Sequence, residues 1–203
     1  MAADTTSSTP FQTALELIDG AHSLDPRKVD HEGDEVAYEL VYSRKMTHFL
    51  SQLRPSLDDV PETLRLAIRA QHFRRWEVPR SSYPMTRVGY HSWRTFLKKR
   101  QAELVSRLCV EAGYGEADAE RVAALIRKED LKSDADTQLL EDVACLVFLE
   151  DKFEEFKNGY DKEGGDDKVV DILRKTWAKM SVEGRTVAQE LATGMPYEHF
   201  NRI

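Results

Sequence analysis

Apolar residues recur every three to four positions along most of this chain, the spacing of helices with one buried face. Phe11, Leu15, Ile18 and Ala21/His22 mark the first, with Pro10 at a position suited to a helix start. Pro26 to Gly33 reads as a polar loop. Asp34-Glu35 then leads a helix to about Leu53, with Val36, Leu40, Met46, Phe49/Leu50 and Leu53 inward. Ser56 opens another, with Asp58-Asp59 in its first turn and an inward stripe of Val60, Leu64, Ala67 and Ile68. From Glu77 to Tyr90 the periodicity vanishes, and Pro79, Ser81-Ser82, Pro84 and Gly89 predict an ordered loop. A long helix is expected from about Ser92 to Ala112, stopped by Gly113-Tyr114-Gly115, and a short one from about Ala117 to Lys128. Ser133 with Asp136 resembles a capping box opening a helix that reaches about Phe156. Val169–Met180 and Thr186–Leu191 are two smaller amphipathic stretches. No segment alternates as a strand, so the predicted fold class is all-α, a single helical bundle.

These elements divide the chain into a tail over 1–9, a helical core over 10–157, a Gly-rich charged linker over 158–167 and a C-terminal helical extension over 168–203 packed on the core. The opening residues lack the basic start and apolar core of a signal peptide, which predicts a short tail. The longest apolar run, Val143 to Leu149, falls far short of the ~20 residues a membrane span needs. Cys109 and Cys145 form no CxxC pair and sit in apolar helical patterns, which suits buried thiols in a reducing, cytoplasmic setting.

Charge changes the picture. The 203 residues carry a net charge of −7, which argues against a general nucleic-acid binder. Between Arg65 and Arg107, however, stand eleven Lys and Arg against Glu77 and Glu103, so this segment is +9 and the remainder −16. That asymmetry predicts an anion-facing surface on an acidic body.

Candidate chemistry clusters around the same segment. The row Leu64, Ile68, Gln71/His72, Arg75 begins apolar and ends polar, so its last members need partners inside the protein. Cations at three- and four-residue spacing should keep His72 neutral, able to bind metal or accept a proton. The bland alternative is a hydrogen bond to a neighbouring helix. Glu141 and Asp142 interrupt a stretch that is apolar nearly all round, so at least one carboxylate points inward and needs a metal, an Arg or a proton. Arg–carboxylate pairs tying the loop to the core would satisfy them equally well. Glu39, Tyr42 and Met46 share a helix face. The stretch from Trp76 to Arg94 combines Arg80, Tyr83, Arg87, Tyr90 and Arg94 with hydroxyls and a glycine beside a helix start, a mixture suited to phosphate or carboxylate. Arg beside aromatics also suits single-stranded RNA. No Walker loop, GxGxxG, HExxH or GxSxG motif is present.

The runs Glu39-Leu-Val-Tyr-Ser-Arg-Lys-Met46, Ala70-Gln-His-Phe-Arg-Arg-Trp-Glu-Val-Pro-Arg80, Tyr83-Pro84, Arg87-Val-Gly-Tyr90, Trp93-Arg94 and Gln138-Leu-Leu-Glu-Asp-Val-Ala-Cys-Leu-Val-Phe-Leu-Glu150 resemble the "domain of unknown function 4202" family over about Phe11 to Phe156. That resemblance implies no activity. More distantly, a helix ending in His followed by an irregular segment and a later Asp on a buried helix is similar in order to the HD-domain metal phosphohydrolases. This likeness implies an HD-like fold and a divalent metal ion held by His72 and Asp142, with Glu39 in the region of the family's first His. Phe73 stands where that family has the Asp of its His-Asp dyad.

The expected function is therefore an HD-like, metal-dependent hydrolase of a phosphorylated or nucleotide-like substrate. His72, Asp142 and Glu39 are the expected metal ligands and Glu141 and Tyr42 the catalytic groups. Gln71, Arg75, Arg80, Tyr83, Arg87, Tyr90 and Arg94 are expected to bind the small anion. Two alternatives use the same residues: a non-catalytic anion-, nucleotide- or RNA-binding module, and a lyase, isomerase or oxygenase acting on another small metabolite.

Overall fold

The computed structural model describes residues 8–157 and 166–192. The expected tail over 1–9 falls mostly outside these residues, as do most of the linker over 158–167 and the end of the C-terminal extension. The described chain is mostly helical and divides into two compact units.

The first unit takes the described residues of 1–44 and 60–129. Helix α1 (Pro10–Ser23) is opened by a capping box between Thr9 and Gln12, with Pro10 at its start, and buries Ala14, Ile18 and His22 at four-residue spacing. A hairpin of β1 (Lys28–His31) and β2 (Asp34–Ala37) follows, antiparallel, with Val29 opposite Val36. This corrects the expected loop and early helix over the same residues. Glu32 and Gly33 both take positive φ, 58° and 91°, which gives the chain its reversal. Helix α2 (Tyr38–Leu53) therefore starts after the hairpin, and Asp34-Glu35 belong to a strand.

Helix α3 (Glu62–Arg69) buries Leu64, Leu66, Ala67 and Ile68. Helix α4 (Arg87–Glu111) begins five residues earlier than the periodicity predicts, because Thr86 caps it by accepting from the Gly89 amide at 3.1 Å. A Cβ at Gly89 would stand 2.1 Å from the Pro84 carbonyl oxygen, so only glycine lets the loop turn this tightly into the helix. Helix α5 (Glu116–Arg127) packs on both α4 and α3, and α1 packs on α3 and α4.

The second unit takes the described residues of 45–59 and 130–203. It holds the remainder of α2, α6 (Ala135–Lys157), α7 (Asp166–Trp177) and α8 (Val182–Ala192). The α6 cap is Asp134 rather than the expected Ser133: its Oδ1 accepts from the amides of Asp136 and Thr137 at 2.9 and 3.0 Å. Among the described residues, no helix is long and apolar enough to cross a membrane.

Candidate functional site

The site grows out of the end of α3. The helix stops at Arg69, and the next turn puts His72 and Arg74 in the left-handed region, at φ 63° and 51°. Side chains seldom adopt this backbone, and it recurs where surrounding packing holds a functional group in place. Here the anchor is Phe73, which is 4% exposed and meets the buried His22 ring edge-on at 5.8 Å. With Phe73 inside, His72 turns towards α2 and stacks on Tyr42, ring centroids 4.2 Å apart and planes 19° from parallel.

Glu39 lies one turn before Tyr42, and its Oε2 is 3.7 Å from His72 Nδ1. On the other side of the imidazole, Arg75 Nη1 donates to Nε2 at 2.8 Å. A guanidinium only donates, so Nε2 is the bare nitrogen and the proton of the neutral ring sits on Nδ1, facing Glu39. Arg75 also lies over the Trp93 ring at 4.8 Å, and the Trp93 indole donates to the Val78 carbonyl at 2.9 Å. Glu39, Tyr42, His72 and Arg75 thus come together in the first unit.

The electrostatics are unusual for a carboxylate site. Burial pushes the Glu39 carboxyl up to about 8, with Asp25 adding to the effect and Arg75 and Arg27 opposing it. Its Oε2 is buried without a hydrogen-bond partner among the described residues. Burial holds His72 well below the ordinary histidine range, helped by Arg75, Arg94 and Lys128. Burial and the nearby Arg94 lower Arg75 in turn. At neutral pH this centre therefore combines a protonated acid and a neutral imidazole with surrounding cations.

The other expected anion contacts spread out. Arg94 is half-buried and close enough to weigh on both His72 and Arg75. Arg80 is engaged by the loop itself, donating to the carbonyls of Tyr83, Pro84 and Thr86 at 2.9, 2.7 and 3.2 Å. Gln71 is buried and donates back to the Ala67 carbonyl at 3.1 Å. Tyr83 lies against Phe96, Tyr90 is exposed beside Trp93, and Arg87 is exposed at the start of α4.

Asp142 and Glu141 belong to the second unit. Asp142 Oδ1 accepts from the Ser181 amide at 2.8 Å and from Gln138 Nε2 at 3.0 Å, while its Oδ2 accepts from the Ser181 hydroxyl at 2.5 Å. Ser181 in turn caps α8, accepting from the Gly184 amide at 3.1 Å. A Cβ at Gly184 would come within 2.8 Å of Asp142 Cγ. Glu141 is buried, with Lys179 Nζ 3.8 Å from its Oε1. Among the described residues, no three His, Cys, Asp or Glu side chains form a group that could hold a metal ion.

Residues 12–200 match the family described as "Domain of unknown function (DUF4202)". The chain belongs to this family. The match takes in Glu39, Tyr42, His72, Arg75 and Asp142 alike. No curated protein and no solved structure compared with this DUF4202 member matches it.

Two buried residues beside this candidate site were given no role in the sequence. Asp25, 1% exposed, accepts from the amides of Arg27 and Glu39 at 2.9 and 3.1 Å. The Asp25-Pro26 step, a turn-initiating dipeptide, was the available signal. His22, fully buried, donates from Nε2 to the Arg69 carbonyl at 3.0 Å. Its place on the apolar face of α1 was legible, but its partner was not.

Proposed function

We propose that this chain is a small-molecule enzyme that hydrolyses a phosphorylated or nucleotide-like anion, with Glu39 as the proton-transfer group. The observation that carries this reading is the buried Glu39 carboxyl, raised to about 8, whose Oε2 has no hydrogen-bond partner among the described residues and stands 3.7 Å from a neutral His72. Unpaired acids of this kind are costly to bury and concentrate where protons are moved. Arg75 and Arg94 would hold the anion's oxygens. Water would attack phosphorus as the bond to the leaving oxygen breaks. Glu39 would give that oxygen its proton, and the carboxylate so formed would take the proton the water loses.

The donor set favours chemistry that does not run through a metal. Arg75 occupies the Nε2 lone pair of His72, and a cation on Nδ1 would need that ring's proton gone beside three positive side chains. Both Asp142 oxygens already accept from Ser181 or Gln138. Of the expected ligands, the Glu39 carboxyl alone keeps an oxygen with no hydrogen-bond partner among the described residues. Phe73, at the position where the HD-domain likeness would call for an Asp, is buried core and offers no ligand.

A small anion suits the surface better than RNA. Much of the basic segment is drawn into the fold. Arg69 pairs with Asp19, Arg74 and Arg100 pair with Glu77, Arg80 holds three carbonyls and Arg65 lies over Phe11. Cys109 and Cys145 are buried thiols outside any disulfide, as a cytoplasmic setting allows. The second reading, a non-catalytic anion sensor, draws on the closeness of Arg75 and Arg94, which an anion between them would relieve.

The test is turnover of a panel of phosphomonoesters and nucleotides by the purified chain, with and without chelator. Hydrolysis that survives chelation and disappears in Glu39→Gln is the expected result. Turnover abolished by chelator would restore the metal reading. A thermal shift without turnover would favour the sensor.

A further inference from the structure

We infer that Asp25 is a positioning residue for Glu39, fixing the start of α2 and the root of the hairpin so that the Glu39 carboxyl faces His72. The inference rests on the role proposed above for Glu39.

Asp25 is 1% exposed and sits just before the hairpin, on the short path between α1 and β1. A buried aspartate is retained only when its oxygens are satisfied, and here both are claimed by backbone. Oδ1 takes the Arg27 amide, on the way into β1, and Oδ2 takes the Glu39 amide, in the first turn of α2. The Tyr38 amide donates to the Arg27 carbonyl at 2.9 Å, closing the hairpin base beside it. One carboxylate therefore joins the two ends of the segment between residues 27 and 39. The Glu39 amide is one of the helix-start donors that no residue within α2 can satisfy. Without Asp25, the first turn of α2 loses the bond that locates the Glu39 backbone, and with it the 3.7 Å approach to His72.

Asp25 also acts on Glu39 through space. The charged and titratable groups that bear on Glu39 are Asp25 and Arg27 from the hairpin root, and His72 and Arg75 from the turn after α3. Burial dominates the shift, Arg75 and Arg27 lower it, and Asp25 raises it. Removing the Asp25 charge while keeping its shape should therefore release Glu39 towards the ordinary glutamate range.

The experiment follows the Glu39 side-chain carboxyl by carbon NMR against pH in the full chain, in wild type, Asp25→Asn and Asp25→Glu. Amide hydrogen exchange at Glu39 is read in parallel. Asn keeps one acceptor oxygen and cannot take both amides, so faster exchange at Glu39 and a lower titration midpoint are expected. Asp25→Glu, which keeps the charge and both acceptors, should hold the midpoint near that of wild type. An unchanged midpoint and unchanged Glu39 exchange in Asp25→Asn would overturn the inference. If Asp25→Asn does not fold, Asp25→Glu still decides: a Glu39 midpoint at the ordinary glutamate value, with the fold intact, overturns it. None of these readouts requires turnover, so an inactive but normally titrating wild type would count against the proposed function and leave this inference standing.

Discussion

Arg75 Nη1 lies 2.8 Å from His72 Nε2, and the two residues are joined by a turn whose backbone is left-handed at His72 and Arg74. The guanidinium cannot accept a proton, so it fixes the tautomer of the ring and leaves the Nδ1 proton on the side where Glu39 Oε2 stands 3.7 Å away, beyond hydrogen-bond distance. It also makes imidazolium unfavourable, since that cation would stand against a second one. A histidine held neutral in this way is more useful as a hydrogen-bond donor of fixed direction than as a base.

Glu39 should give the stability of the protein an unusual pH dependence. Its carboxyl titrates near 8 when folded and near 4.5 when unfolded, so between those values the folded state binds more protons. Stability from this group is therefore lost as pH rises from about 4.5 to about 8, by an amount on the order of a few kcal/mol. Glu39→Gln removes the dependence. Denaturant unfolding across this range should show the variant gaining on wild type as pH rises, with the difference flat below about 4.5. Parallel curves for the two proteins would contradict the shift.

His22 should produce the opposite trend. Burial lowers it to about 4, although its bond to the Arg69 carbonyl opposes the shift. The unfolded chain takes up a proton near 6.5 that the folded chain refuses, so stability falls as pH drops from about 6.5 to about 4. His22→Leu should remove that acid sensitivity. At pH 8 it should cost about 1–3 kcal/mol, because the Arg69 carbonyl loses its donor.

Asp142 separates a structural role from a metal role. Three donors point at its carboxylate, from Ser181 and Gln138, and an amide nitrogen in Asp142→Asn would face one of them. The variant should lose about 1–3 kcal/mol, with faster hydrogen exchange over Val182–Ala192. Gly184→Ala should act on the same contact, through a methyl 2.8 Å from Asp142 Cγ. Metal content, measured on protein purified without chelator, should be the same before and after Asp142→Asn.

The arginines should divide under an anion titration. Phosphate at 100 times its dissociation constant adds about 2.7 kcal/mol of stability to a protein that binds it only when folded. Arg75→Ala and Arg94→Ala should abolish that gain. Arg80→Ala should lower the melting temperature without ligand, because the carbonyls of Tyr83 and Pro84 lose the guanidinium that holds the loop, while the phosphate increment persists. A melting temperature indifferent to phosphate in every variant would remove the anion site.

Much of the helical frame was legible because burial at three- and four-residue spacing leaves a strong mark. Leu64, Ala67 and Ile68 face inward as their spacing predicts. The hairpin escaped for a physical reason. Its strands hold four residues each, and only Val29 and His31 on one and Val36 and Ala37 on the other are shielded. So few buried positions cannot outweigh Asp34-Glu35, which also suit a helix start. At the site, the polar end of the Leu64–Ile68 row pointed to His72, and spacing put Glu39 and Tyr42 on one helix face without saying that His72 would meet them. The tautomer of His72 and the part played by Asp25 depend on hydrogen bonds to backbone and to a neighbouring guanidinium, and these leave no periodic trace. Arg80 and Arg75 look alike in sequence, yet one stitches a loop and the other addresses the imidazole.

The proton on Glu39 also couples the site to the surrounding buffer. A negative ligand arriving beside Arg75 would push the carboxyl above its resting value near 8, so the protein would draw protons from solution as the complex forms. Titration calorimetry in two buffers of different ionisation heat would read this as a difference in apparent enthalpy. Affinity for the same anion should weaken as pH climbs through 8, because the uptake then has to be supplied from scarcer protons.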